Sequence, residues 1–388
     1  MTNFAGITGA DRPKNGPYVS HRSYSLPMQT SQLQLLSEDE GVLRAQKVAN
    51  NLNLGTFELG NRRYLGGKSK LLPWIESEVK DALGRKPRSL FDVFAGTGVV
   101  GYHFAKLGLP ITASDLLLHN YFGLQTFMGP ARLNLKSLGE KLVHLQGLSG
   151  KKNYFSEHFG ENYFSMSNAK LIGTIREEID EISSSARERA ALITSLIYAA
   201  DRVANTVGHY DAFHRGQDIT TPIELKLPLI DENVSNKNSL YCEDSMVVAG
   251  SSSVDVAYLD PPYNSRQYSD AYHLLENLAA WEKPEVKGVA RKMDRTHLKS
   301  DFCGKSAPEA FDEMVQALNA NLIVVSYNNT SESLNSRSNA AISDDELISS
   351  LRRRGRVITR ETAFAGFTTG KTKKRNHSER LFICKVKP

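Results

Sequence analysis

Cysteine is scarce in this 388-residue chain, which has three in all. Cys242, Cys303 and Cys384 stand far apart, form no CxxC pair and have no histidine beside them at metal-ligand spacing. That pattern argues against a disulfide scaffold or a cysteine-based zinc site, and it predicts reduced structural thiols and no bound metal. Uninterrupted apolar runs are also missing, since none approaches the roughly 18 residues that a membrane-spanning helix needs. The opening MTNFAGITGADRPKNG lacks the basic, apolar and small-residue succession of a secretory leader. A cytoplasmic protein without membrane attachment is the expectation. No internal repeat is visible. At 40% hydrophobic and 23% charged residues, with a mean hydropathy of -0.37, the composition is that of a globular chain with one large core or two medium ones.

Positive charge is unevenly spread. The net charge is +5, yet residues 352–388 hold twelve Lys/Arg against only Glu361 and Glu379, which leaves the remainder acidic. A local basic stretch of this kind suits a phosphate backbone, although charged tails are often simply solvated.

Residues 1–55 read as a flexible or loosely docked lead-in, which mixes Gly, Pro, Ser, Asn and Gln up to about residue 35 and has a helix candidate over 37–54. From Arg88 onward, short apolar runs alternate with helical stretches, the mark of a doubly wound α/β fold with a mostly parallel sheet. SLFDVF (89–94), PITASD ending at Asp115, DVAYLD (255–260), LIVVSYNN (322–329) and the final ERLFICKV are the strand candidates. Gly108 is placed to end the helix after the first strand. Ser343 and Glu346 form a capping box for a helix that Gly355 would stop. Residues 121–238 interrupt the alternation with helices. Leu171, Ile172, Ile175, Ile179 and Ile182 make one apolar face, and Leu192, Leu196, Ile197 and Val203 another.

Two motifs carry chemistry. In FDVFAGTGVVG a strand meets a helix through Gly96 and Gly98, which permit a sharp turn and close approach to a ligand. Asp115 follows at the end of the next strand, where a carboxylate can hold ribose hydroxyls. A nucleoside-type cofactor fits, and on this feature alone a dinucleotide remains open. The second motif is Asp260-Pro261-Pro262-Tyr263 after a strand. A carboxylate and a prolyl carbonyl on a stiff loop can accept both hydrogens of a delocalised amino group such as adenine's, taking up charge as the nitrogen reacts. Tyr263 offers a face on which an extruded base can stack.

The ordered set YLGGKSKLL, FDVFAGTG, ASD and DPPY resembles the Dam-type adenine-N6 DNA methyltransferases of the alpha arrangement, from about Tyr64 onward. The resemblance implies a Rossmann-like methyltransferase sheet formed by 56–120 and 239–388, with 121–238 inserted as a helical target-recognition domain. It implies S-adenosylmethionine as cofactor, bound by Tyr64, Gly67, Lys68, Phe94, Gly96, Gly98, Asp115 and Asp244, with Glu243 an alternative to the last. Lys68 would pair with the cofactor's methionine carboxylate. Asp260, Pro261, Pro262 and Tyr263 would be catalytic.

Double-stranded DNA is the implied partner, and a cognate restriction endonuclease a further one. ADRVANTVGHYDAFHRG resembles segments of a subset of these enzymes, as does NSRQYSDAYHLLENL. Tyr210, Arg215, Arg266, Gln267 and Tyr268 are accordingly candidate DNA contacts, against the alternative that these aromatics pack inward. His273 heads an apolar helical face and is expected to pack. Cytosine-N4 methylation is the nearest rival chemistry, RNA or protein glutamine methylation a weaker one, a catalytically silent DNA-binding protein the rival of another class, and a nicotinamide dehydrogenase the least supported.

Overall fold

The structure, a computed structural model, describes residues 30–216, 220–231, 234, 237–263, 265–328, 341–363 and 378–387, with side chains from Gly41 onward. Residues 1–29 of the lead-in, Asn264 beside the DPPY motif and Lys371 to Arg375 of the basic stretch lie outside these.

In chain order, α1 (Thr30–Asn51) leads to β1 (Gly55–Phe57) and α2 (Leu72–Leu83). Next come β2 (Leu90–Asp92), α3 (Val99–Lys106), β3 (Ile111–Ser114) and α4 (Leu118–Met128). A run of helices follows: α5 (Leu135–Gln146), α6 (Tyr154–Phe159), α7 (Met166–Ile182) and α8 (Ala186–Val203). Then β4 (Lys226–Pro228), β5 (Ser239–Tyr241), α9 (Ser245–Ala249) and β6 (Ser253–Leu259) lead to α10 (Tyr268–Ala271) and α11 (His273–Ala280). The chain closes with α12 (Ala307–Ala317), β7 (Asn319–Asn328), α13 (Asp344–Arg354), β8 (Gly355–Ala363) and β9 (Ser378–Val386).

Seven strands form one sheet in the order β5-β3-β2-β6-β7-β9-β8. The first five are parallel, and β9 runs antiparallel between β7 and β8. This is the expected Rossmann-like α/β class. Val256, Tyr258, Leu322, Val324 and Leu381 pack toward one face and Ala257, Leu259, Ile323, Val325 and Phe382 toward the other, so both faces of the central strands are covered by helices. The Ser343–Glu346 capping box forms as expected. β8 and the two-stranded pair of β1 and β4 have no counterpart in the sequence reading. β8 begins where α13 ends, at Gly355, the residue read only as a helix stop.

The helices of 121–238 are capped by Asn134, Asn153, Ser165 and Ser185, whose side chains accept backbone N–H groups. Ile172, Ile175 and Ile179 of α7 and most of α8 are buried. Their core is continuous with Ala45 and Ala49 of α1, Phe57 of β1 and Tyr272, Leu274 and Leu275 next to the DPPY motif. From Ala45 onward the lead-in packs on this core, where Val48 of α1 and Leu52 just after it fill the groove left by Gly139 of α5.

The β8–β9 pair leaves no room at its start. Gly355 has an extended backbone, but a Cβ there would lie 1.9 Å from the carbonyl oxygen of Lys385. Gly355→Ala is expected to force the pair apart and to lower stability by roughly 2 kcal/mol in urea titration, since main-chain atoms must move. An unchanged midpoint would show that the contact is tolerated.

Candidate active site

The carboxyl ends of β2, β3, β5 and β6 surround one cleft, the position at which open parallel sheets bind ligands. It encloses about 1240 Å³, mouth included. The glycine turn forms one wall. Gly96 has φ +55°, and a Cβ on it would meet the Tyr64 ring at 3.2 Å; Gly98 has φ +84°, and a Cβ would meet Leu124 at 2.4 Å. Both positions exclude any larger residue. The Gly96 N–H donates to Asp115 Oδ2 at 2.8 Å. Asp115 Oδ1 accepts from the Leu117 N–H at 2.8 Å and from Asn120 Nδ2 at 3.1 Å. Asn120 Nδ2 also donates to Tyr64 Oη at 3.1 Å. Asp115 thus locks the turn and, through Asn120, the ring laid over it.

Asp92, at the end of β2, is buried and accepts the Gly101 N–H at 2.9 Å. Burial pushes Asp92 up to about 7 and Asp115 up to about 6, against backbone hydrogen bonds that pull each down. Asp244 caps α9 through the Met246 N–H, 2.9 Å away. Phe94 packs edge-on against Phe302, with ring centroids 4.8 Å apart.

Asp260 stands just beyond β6. Its Oδ1 is 3.1 Å from Lys68 Nζ, which is also 3.1 Å from Glu379 Oε1 on β9. Glu379 Oε1 accepts from Ser326 Oγ at 2.7 Å. Burial and the charge of Glu379 push Asp260 up to about 6, while Lys68 pulls it down. Burial opposes the charge on Lys68, but its two carboxylates outweigh that cost and raise its pKa overall.

Of the residues singled out in the sequence, Tyr64, Gly67, Lys68, Phe94, Gly96 and Asp115 line the cleft, as do Asp244, Asp260, Pro262, Gln267 and Tyr268. Gly98 lies behind this lining, at the start of α3, and Pro261 is buried beside it. The surroundings of four of these residues differ from those expected. Lys68 faces Asp260 and Glu379, so its charge is already matched by protein carboxylates.

Tyr263 packs its ring edge-on against Tyr327, centroids 6.4 Å apart, and is not part of the lining. Among the aromatic residues that do line the cleft, Tyr64 and Tyr268 lie with ring centroids 5.5 Å apart. Tyr210 is fully buried, with its Oη donating to Asp201 at 2.9 Å, and so is shut off from any DNA. Gln267 is tied at both ends to the backbone of Ser300, its Nε2 donating to the carbonyl at 2.9 Å and its Oε1 accepting the N–H at 2.8 Å. Arg215 and Arg266 are exposed. His273 is buried and bonded to the Tyr210 carbonyl, a packing role as expected.

Sequence reasoning missed Asp92, Asn120, Ser326 and Glu379. The first lay inside a motif read for its glycines; nothing local marks the others.

Five aspartates, Asp92, Asp115, Asp244, Asp260 and Asp301, together with Glu313, thus face a cleft whose single lining lysine among the described residues is already paired. Such a cavity attracts a cationic, hydroxyl-bearing ligand and repels a pyrophosphate, which tells against the dinucleotide that the glycine turn alone leaves open.

Residues 64–331 match the family model described as D12 class N6 adenine-specific DNA methyltransferase. The type II methyltransferase M.NlaIII of Neisseria lactamica is 30% identical over 329 residues, 81% of this chain and 95% of that protein. The modification methylase StsI of Streptococcus sanguinis is 32% identical over 287 residues, 69% of this chain but only 44% of its own. The type II methyltransferase M.CviAII of Paramecium bursaria Chlorella virus 1 is 29% identical over 283 residues, 71% of this chain and 85% of that protein.

The raised carboxyls have a measurable consequence. Asp92 titrates at about 7 in the fold against an ordinary 3.8, so the folded state holds this proton more tightly. The resulting stability is complete below about pH 4 and is lost as pH rises through 7. The buried imidazoles of His119 and His273, lowered by burial, act in the opposite sense. The effect is therefore read as a difference. Asp92→Asn, which retains an acceptor for Gly101, is expected to gain stability relative to wild type between pH 5 and pH 8 in urea titrations. A difference that does not vary with pH would contradict it.

Proposed function

The chain belongs to the D12 class N6 adenine-specific DNA methyltransferases, and we propose that it transfers a methyl group from S-adenosylmethionine to adenine N6 at one short site in double-stranded DNA. The setting we infer is the modification half of a restriction-modification system, as the names of its relatives suggest.

The observation that carries the reading is Asp260 facing the same cleft as the glycine turn. S-adenosylmethionine, when bound, supplies an electrophilic methyl on a sulfonium. The acidic lining suits its net positive charge, with Tyr64 and Phe94 as apolar walls, Asp115 beside the turn for hydroxyls, and Asp244 after the neighbouring strand β5. Asp260 accepts a hydrogen from the amino group, drawing its lone pair out of the ring, and takes the proton that the nitrogen sheds. With Lys68 on Oδ1, Oδ2 is left for the substrate. Pro261 and Pro262 restrict the loop that presents these acceptors.

Target recognition we assign to the helical layer of 121–238 and the loop through Arg215. Asp211 in that loop is bound by Lys292 at 2.7 Å, and Lys292 also lies 3.6 Å from Asp270 on α10, whose Tyr268 lines the cleft. Arg215 and Arg266 are exposed on the loops where phosphates would approach.

Asp260→Ala is expected to keep its affinity for S-adenosylmethionine while losing transfer to DNA by a factor of roughly 100 or more. Digesting DNA methylated by the wild type to nucleosides checks the product. N6-methyladenine is expected, N4-methylcytosine would move the reading to its nearest rival, and no product with any DNA would favour a silent DNA-binding protein.

A further inference from the structure

Glu379 is a buried carboxylate with no part in the chemistry described so far. It sits on β9, beyond the residues that match the family, and is 5% exposed. A buried carboxylate is costly unless paired, and this one is paired with the ammonium that also contacts Asp260. Ser326, on the neighbouring strand β7, donates to the same oxygen and fixes its rotamer. Register explains the meeting, because Asn328 of β7 lies opposite Glu379, and β7 lies beside β6, which ends one residue before Asp260.

We propose that Glu379 is a positioning residue for methyl transfer, holding Lys68 so that its ammonium fixes Asp260 through Oδ1 and leaves Oδ2 aimed at the amino group. The proposal rests on the reading of Asp260 as proton acceptor. Two carboxylates around one ammonium leave the set with one net negative charge. That excess favours both the positive charge that develops on the nitrogen and the proton that then passes to Asp260. The proton leaves from Asp260 to solvent, and Lys68 stays charged throughout. The groups facing Asp260 are Lys68, Glu379 on β9, Asp92 on β2 and the phenols of Tyr258 and Tyr268. Among these carboxylates, Glu379 alone touches the ion that touches Asp260.

The test is Glu379→Gln, which keeps the size and the acceptor for Ser326 but removes the charge. Transfer by the wild type should rise with pH through about 6 as Asp260 ionises. In the variant that limb should move to lower pH, because a negative neighbour no longer opposes ionisation. At pH 7.5 kcat should fall by about 10- to 100-fold, with KM for DNA and affinity for S-adenosylmethionine within about twofold. Protein labelled with ¹³Cγ aspartate, with Asp260→Asn to identify the resonance, should show the same downward shift without DNA or cofactor. An unmoved Asp260 resonance and an unmoved limb overturn the proposal, whether activity is kept or is lost together with stability. If the wild type forms no methyladenine, the functional reading fails instead, and the Asp260 resonance still reports on Glu379.

Discussion

Taking an ammonium out of water costs several kcal/mol unless close partners repay it, and Lys68 is buried with two carboxylate oxygens at 3.1 Å. Its place in the chain makes this more than a local contact. Lys68 precedes α2, Asp260 follows the central strand β6, and Glu379 lies on β9 near the C-terminus. The ion can be repaid only if all three segments arrive together. The strand order β6-β7-β9 brings them together, and the antiparallel return of β9 points its first residues toward the end of the sheet where β6 delivers Asp260. Fold and site are in this sense specified by one charge balance.

Around that centre the protein segregates charge. Carboxylates are concentrated inside the cleft, whereas the exposed cations Arg215 and Arg266 lie on loops outside it. A sulfonium ligand and a phosphate backbone place opposite demands on one molecule. The separation lets both be met without a compromise at either surface. Burial pushes Asp92, Asp115 and Asp260 up toward neutral pH, which lowers the cost of packing these three together.

Much of this was legible in the sequence, and the exceptions have physical causes. The glycine turn and the Asp260 motif are contiguous, and their chemistry follows from residue type and neighbours. The buried strands announced themselves by apolar runs. By contrast, β1 and β4 have three residues each, too few for a period to emerge, and β8 was hidden in a stretch whose arginines drew attention to charge. The pairing of Glu379 with Lys68 joins opposite ends of the chain and has no local signature. Tyr210 misled for another reason. A segment rich in aromatics and cations suits a DNA surface, but a tyrosine whose hydroxyl finds a carboxylate, here Asp201, is equally at home in a core.

The uninterrupted apolar interior shared by α1, the helices of 121–238 and α11 bears on how such an enzyme diversifies. A module joined by linkers can be exchanged whole, but one whose interior is also the floor beneath the catalytic helices cannot be lifted out without opening both. On the assignment of target recognition proposed above, a change of sequence preference falls to side chains on exposed loops, while the buried seam stays shared.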